Sequence, residues 1–291
     1  MIQEFIENCT KSDAKRDFGL TTPENIIRYD NIAYGSFGEA NLLDIYRPKE
    51  VSGNLPVLVN VHGGGYVYGS KEVYQYYCMS LAQRGFAVIN INYRLAPDYP
   101  FPTALEDVNA AFGWVLLNHE TYGLDVNQIF MVGDSAGAQI TSQYATMVSN
   151  PEYAALFPFE VTKVTLKGVC LNCGMYDLQK FVQDDNSEIR LAYWGEDPSA
   201  HGDIIRIFDY IKKNYPPAYI MTSNMDFLKD FAKPLYEHLQ TLGVQSEYKL
   251  YGDDLDKLYH VFHIDIKSNI ANQCNEEECN FLRSLISNEQ E

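Results

Sequence analysis

The apolar run Gln128 to Val132 breaks into Gly133-Asp134-Ser135-Ala136-Gly137 and then into a helix-forming stretch. Strand, tight turn and helix in that order, with one serine at the apex, leave few folds open. A residue at such an apex sits on a strained turn, and the backbone on either side passes too close to its surroundings for side chains. Glycine two places before and two places after Ser135 meets that steric need. A helix starting at Ala136 aims its first N–H groups at the same spot, where negative charge can be held.

The rest of the chain repeats this alternation. Asn25 to Tyr34 and Asn41 to Tyr46 read as strands joined by the Gly35–Gly38 turn, and Pro56 to Val61 is apolar enough for a strand buried on both faces. A helix over Tyr74 to Gln83, a strand over Phe86 to Ile91 and a helix over Ala104 to Asn118 precede the serine turn. After it come a helix from Ala136 to about Ser149, strands at Leu166 to Asn172 and Ala218 to Thr222, and a helix from Phe227 to Leu242. A strand over Ser246 to Tyr251 and a helix over Asn272 to Ser287 close the chain. Strands alternating with helices predict an α/β fold, a mostly parallel central sheet with helices on both faces. With 291 residues, 46% of them hydrophobic, the chain suffices for one such domain over 1–291. Ile2, Phe5, Ile6 and Cys9 share a helical face within an N-terminal segment, 1–24. Between Tyr176 and Tyr215 the rhythm stops, and this polar, aromatic stretch is expected to be an irregular insertion over 176–215 capping a site.

A formal net charge of −17 argues against nucleic acid and anionic membranes as partners. Of the six cysteines only Cys170 and Cys173 have C-x-x-C spacing, and no second Cys or His pair follows at a metal-binding distance. They fall in an apolar run and read as buried structural thiols, so no metal is expected. No secretory signal and no run of 18 apolar residues is present, so a cytoplasmic location is expected.

Serine is a poor nucleophile unless a base takes its proton and an acid orients that base. Six histidines are available. His119 and His238 fall in or near helices and read as surface residues, and His201 lies in the insertion. His260, in the loop after the last strand, can descend onto a serine turn in mid-sheet; His263 in the same loop is the second candidate. Asp226 follows the strand over Ala218 to Thr222 and is the candidate acid, with Asp177 after the preceding strand as its rival. Asp226 also suits a helix N-cap. His62-Gly63-Gly64-Gly65-Tyr66 directly follows Val61. Three consecutive glycines are costly to order, and their use here would be open backbone N–H groups, joined by that of Ala136, aimed at a developing oxyanion. No lysine in Walker spacing supports a phosphate cradle instead.

These residues resemble the hormone-sensitive-lipase-like branch of the α/β-hydrolases, including bacterial acetyl esterases. The motifs are HGGGY at 62–66, YRLAP at 93–97, FPTALEDV at 101–108, GDSAG at 133–137, MDFL at 225–228 and HVF at 260–262. The resemblance implies Ser135 as nucleophile, His260 as general base and Asp226 as its orienting acid, with Gly64, Gly65 and Ala136 as oxyanion donors. It implies short to medium acyl esters as substrates and no cofactor. Two departures stand out: Phe227-Leu228 replaces the usual Pro-Leu, and 172–177 replaces the usual Ser-Pro at the cap.

Tyr66, Tyr68, Tyr74, Tyr76 and Tyr77 cluster beyond the glycine loop, suited either to packing between helix and cap or to an aromatic platform for a sugar or aryl ester. The rival readings are a peptidase or amidase on the same fold and a non-catalytic small-molecule receptor. A homodimer through an added strand or helix surface is compatible with the sequence.

Overall fold

The computed structural model describes residues 1–184 and 187–286. Helix α1 (Ile2–Asp17) precedes strands β1 (Ile26–Ala33), β2 (Leu42–Pro48) and β3 (Leu55–Val61), helix α2 (Lys71–Ala82) and strand β4 (Ala87–Ile91). Helix α3 (Thr103–Tyr122) leads to β5 (Leu124–Asp134), α4 (Ala136–Ser149) and the short α5 (Pro151–Ala154). Strand β6 (Leu166–Asn172) is followed by three short helices, α6 (Leu178–Asp184), α7 (Glu188–Trp194) and α8 (Ile207–Tyr210). Strand β7 (Ala218–Ser223), helix α9 (Ala232–Thr241), strand β8 (Ser246–Tyr251) and helix α10 (Asn269–Ser284) complete the order.

The strands form one eight-stranded sheet in the order β1-β2-β4-β3-β5-β6-β7-β8. β1, β2 and β4 pair antiparallel, and every pairing from β4 through β3 to β8 is parallel. Alternation along β3 explains the double covering: Val57, Val59 and Val61 pack on the face shared with α3, α4 and α9, while Leu58 packs on the face shared with α2 and α10. The α/β fold expected from the sequence is the fold observed. β5 lies in mid-sheet, so its C-terminal end opens at the centre of the edge where α/β folds carry their sites.

Three expectations need correction. The stretch 176–215 is not irregular: its described residues fold into α6, α7, a 3-10 turn and α8, each too short to show a helical period in sequence. Asp185 and Asn186 of that stretch, and Ser287 of the expected terminal helix, lie outside the described residues. The helix expected from Phe227 starts at Ala232 after a 3-10 turn, because the Leu228 N–H bonds the Asp226 carboxylate 2.9 Å away. His119 and His238 are half-buried, not surface residues, and the His238 ring packs edge-on against Phe208.

Candidate active site

Ser135 takes φ 53° and ψ −119°, a strained left-handed conformation for a residue with a side chain. Its two glycines are sterically required. A Cβ on Gly133 would strike the backbone of Gly137, and one on Gly137 would strike the carbonyls of Val61 and His62. The turn therefore lets α4 press against both its own strand and β3.

Each member of the expected triad sits at the C-terminal end of a strand. Ser135 follows β5, Asp226 lies just beyond β7, and His260 lies in the loop after β8. His260 Nε2 is 2.9 Å from Ser135 Oγ, and His260 Nδ1 is 2.7 Å from Asp226 Oδ1. An ionised carboxylate can only accept, so Nδ1 carries the imidazole proton and Nε2 is left to accept from the serine hydroxyl. The Thr222 hydroxyl donates to Asp226 Oδ2 at 2.8 Å. Burial pushes the Asp226 carboxyl up, but the bond and charge of His260, with the Leu228 N–H and the Thr222 hydroxyl, outweigh it and hold the group below its ordinary value. Further bonds join the acid's loop to the histidine's: Met225 N–H to the Leu258 carbonyl, Ser223 Oγ to the Tyr259 carbonyl, and Leu258 N–H to Asn224 Oδ1. Ser223 and Asn224 carry no sequence signal of this bracing.

The rivals go elsewhere. Asp177 accepts the Lys180 N–H and caps the first turn of α6. His263 is fully buried with its ring edge-on to Tyr77, and burial lowers its pKa to about 3. The ring of His201 stands 2.6 Å from the Trp194 carbonyl, within the insertion.

Gly64 and Gly65 take φ values of 112° and 60°, and both line the cavity that holds Ser135, Ala136 and His260. The Gly64 carbonyl accepts from the Val67 and Tyr68 N–H groups, which fixes the loop's turn. His62 braces it from below, stacked on Tyr93 at 4.2 Å with Nδ1 2.7 Å from the Gly63 carbonyl; burial lowers its pKa to about 4 and keeps the ring neutral. Tyr74 ties this loop to the serine turn. Its hydroxyl accepts from Gly63 N–H at 3.0 Å and donates to Asp134 Oδ2 at 2.7 Å. Tyr66 stacks on Tyr193 of α7 at 3.9 Å, and Tyr77 is buried with its hydroxyl on Glu278. The tyrosine cluster therefore divides: Tyr77 is core, Tyr66 joins loop to insertion, and Tyr66, Tyr68 and Tyr74 all reach the cavity wall.

That cavity is about 290 Å³ and chiefly apolar. Phe181 and Ile189 of the insertion form one wall and Phe227 of the acid loop another. Phe5, Cys9, Asp13 and Arg16 of α1 form a third, which the sequence reading did not assign to the site. Asp13 accepts from the Tyr68 hydroxyl at 2.8 Å and from Arg16 at 2.8 Å.

A mostly parallel sheet with a serine-bearing turn at the end of a central strand, and an aspartate and a histidine beyond later strand ends, defines the α/β-hydrolase class, and the fold of solved structures agrees. Esterase B from Lactobacillus rhamnosis, in an inhibited form, superposes with a TM-score of 0.89 at 22% identity, covering 98% of this chain and 95% of that one. The chain belongs to the BD-FAE family, whose model matches residues 43–233, within the hormone-sensitive-lipase-like α/β-hydrolases. Carboxylesterase NlhH from Mycobacterium tuberculosis is 31% identical over 244 residues, 78% of this chain and 75% of that protein. Versiconal hemiacetal acetate esterase from Dothistroma septosporum is 28% identical over 224 residues, 71% of this chain and 67% of that protein. The protein is a carboxylic ester hydrolase. Among the described residues no helix is long and apolar enough to cross a membrane.

Proposed function

We propose that the protein hydrolyses short to medium acyl esters of small molecules by a two-step acyl transfer without a cofactor. Ser135 attacks the ester carbonyl as His260 Nε2 takes its proton, and Asp226 holds the imidazole in the required tautomer and balances its charge. The N–H groups of Gly64, Gly65 and Ala136 bind the oxyanion, each worth ~3 to 4 kcal/mol in the transition state. His260 then protonates the leaving alcohol and activates the water that releases the acid. The observation that carries this reading is the unbroken hydrogen-bonded line from Ser135 Oγ through His260 to Asp226. A cavity of about 290 Å³, near the lower bound for small-molecule sites, favours modest acyl groups. The walls from α1 and from 176–215 act as the cap, and acetylated alcohols, carbohydrate esters included, fall within its reach.

The test is labelling with a fluorophosphonate, mapping of the modified peptide, and hydrolysis of p-nitrophenyl acetate through decanoate. We expect one label per chain, on Ser135, and the fastest turnover at the short end. Ser135→Ala should lower kcat by roughly 10⁵-fold while leaving the fold intact. Full activity in that variant would sink the mechanism.

A further inference from the structure

Beneath the Asp226–His260 pair lies a thiol that ester hydrolysis does not use. Cys173, the first residue after β6, has φ 51°, a left-handed conformation for a residue with a side chain, and its N–H is bonded to the Met221 carbonyl of β7. Its Sγ lies within 4.8 Å of both an Asp226 carboxylate oxygen and a His260 ring nitrogen. On its other side it stands 4.0 Å from the thioether sulfur of Met221. Both sulfurs are buried. Thiol, thioether, imidazole and carboxylate therefore converge from β6, β7 and the two catalytic loops. Thiolate and thioether are donors that select soft cations. Two sulfurs bound at ~2.3 Å around a trigonal ion stand ~4 Å apart, which matches the spacing found.

We infer that Cys173, Met221, His260 and Asp226 form an inhibitory site for a soft, thiophilic cation of the Cu⁺ or Cd²⁺ type. The Cys173 thiol releases its proton to solvent and its sulfur bonds the ion. The imidazole proton moves from Nδ1 to Nε2, freeing the Nδ1 lone pair for the metal, and no atom changes oxidation state. With Nε2 protonated, His260 no longer accepts the proton of Ser135, and the Asp226 oxygen turns from Nδ1–H to the ion. Turnover stops although Ser135 is untouched. Hard, oxygen-seeking ions such as Mg²⁺ bind sulfur donors poorly and do not compete for the site.

The arrest of turnover rests on the proposed esterase reading, so the test also reads the site directly. Cd²⁺ is titrated into the intact protein with p-nitrophenyl acetate as substrate, each variant scaled to its own metal-free rate. The near-ultraviolet thiolate-to-cadmium band is followed separately in Ser135→Ala, where no turnover is needed. We expect inhibition that a chelator reverses and Mg²⁺ does not reproduce. Cys173→Ala should weaken it at least about tenfold and Met221→Leu by a smaller factor. Cys9, which lines the cavity beside Ser135 and His260, is the competing thiol, and Cys9→Ser should leave the inhibition in place. The inference is overturned if the active protein ignores Cd²⁺, if both Cys173→Ala and Met221→Leu are inhibited like the parent, or if Cys9→Ser alone abolishes the effect. Should the protein show no esterase activity, the proposed function fails, and the metal site is still decided by the absorbance band, which Cys173→Ala in the Ser135→Ala background should remove and Cys9→Ser in that background should leave.

Discussion

Asp134 stands next to the proposed nucleophile yet takes no part in the triad. It is fully buried, Tyr74 donates to one of its oxygens, and the other has no partner among the described residues. Burial pushes its pKa up to about 7, against the Tyr74 bond, the proximity of His260 and the charge of Arg16. Glu278, buried under donors from Asn172 and Tyr77, is likewise pushed up to about 7 by burial. Both folded values lie above the unfolded ones, so between about pH 4 and pH 7 the native protein holds protons that the unfolded chain has released. Their contribution to stability is complete at the acid end of that window and is lost as pH rises through about 7. Each group can account for up to ~1.4 kcal/mol per pH unit. Urea unfolding between about pH 5 and pH 8 should therefore show Glu278→Gln with a flatter decline than the parent, since its amide has no proton to lose. An unchanged slope would place the pH dependence in other groups.

At the level of elements, α1 is a wall held on by few attachments. None of its residues is fully buried, and the Tyr68–Asp13 and Arg16–Val73 hydrogen bonds fasten its C-terminal half. Deleting residues 1–17 should leave one cooperative unfolding transition with a midpoint within a few degrees of the parent. The same deletion should reduce the preference among acyl lengths, moving the octanoate-to-acetate ratio of kcat/KM by roughly tenfold. A protein that no longer folds would make α1 part of the core instead. The helix was legible in sequence from the spacing of Ile2, Phe5, Ile6 and Cys9, but its place in the site was not. An apolar face has the same period whatever it covers, and the partners of α1, Tyr68 and Val73, are remote in the chain. Most of the parallel strands could be read to within a residue, as Pro56 to Val61 was, because such runs are nearly all apolar. β5 instead begins at Leu124, four residues before the apolar run at Gln128, because Asp125 and Asn127 interrupt the pattern there. The proposed triad could be picked out in sequence because such chemistry confines each member to a strand end, and Ser135, Asp226 and His260 stand at those positions, hydrogen-bonded in line. Cys173 escaped for the opposite reason: its backbone conformation, which no residue pattern encodes, turns it from a buried-strand thiol into a neighbour of the Asp226–His260 pair.

On the scale of the whole molecule the dominant quantity is the net charge of −17. Like charges on a compact body repel, and raising ionic strength from about 0.01 M to about 0.15 M shortens their range from ~30 Å to ~8 Å. The thermal midpoint should rise over that interval. Buried pairs such as Lys71–Asp44, 3.0 Å apart, are shielded from salt and will not oppose the trend. A falling midpoint would mean that exposed ion pairs outweigh the general repulsion. Charge acts on the body as a whole, whereas the Tyr74 phenol acts at a single joint, bonded at once to Asp134, the residue before the proposed nucleophile, and to the first glycine of the loop facing it. The two halves of the proposed oxyanion site are thereby one stiff part, with their separation set when the chain folds. In the proposed reaction an ester arriving there finds the dipoles already oriented, and the reorganisation energy that water would demand has been met in advance by the protein's own stability.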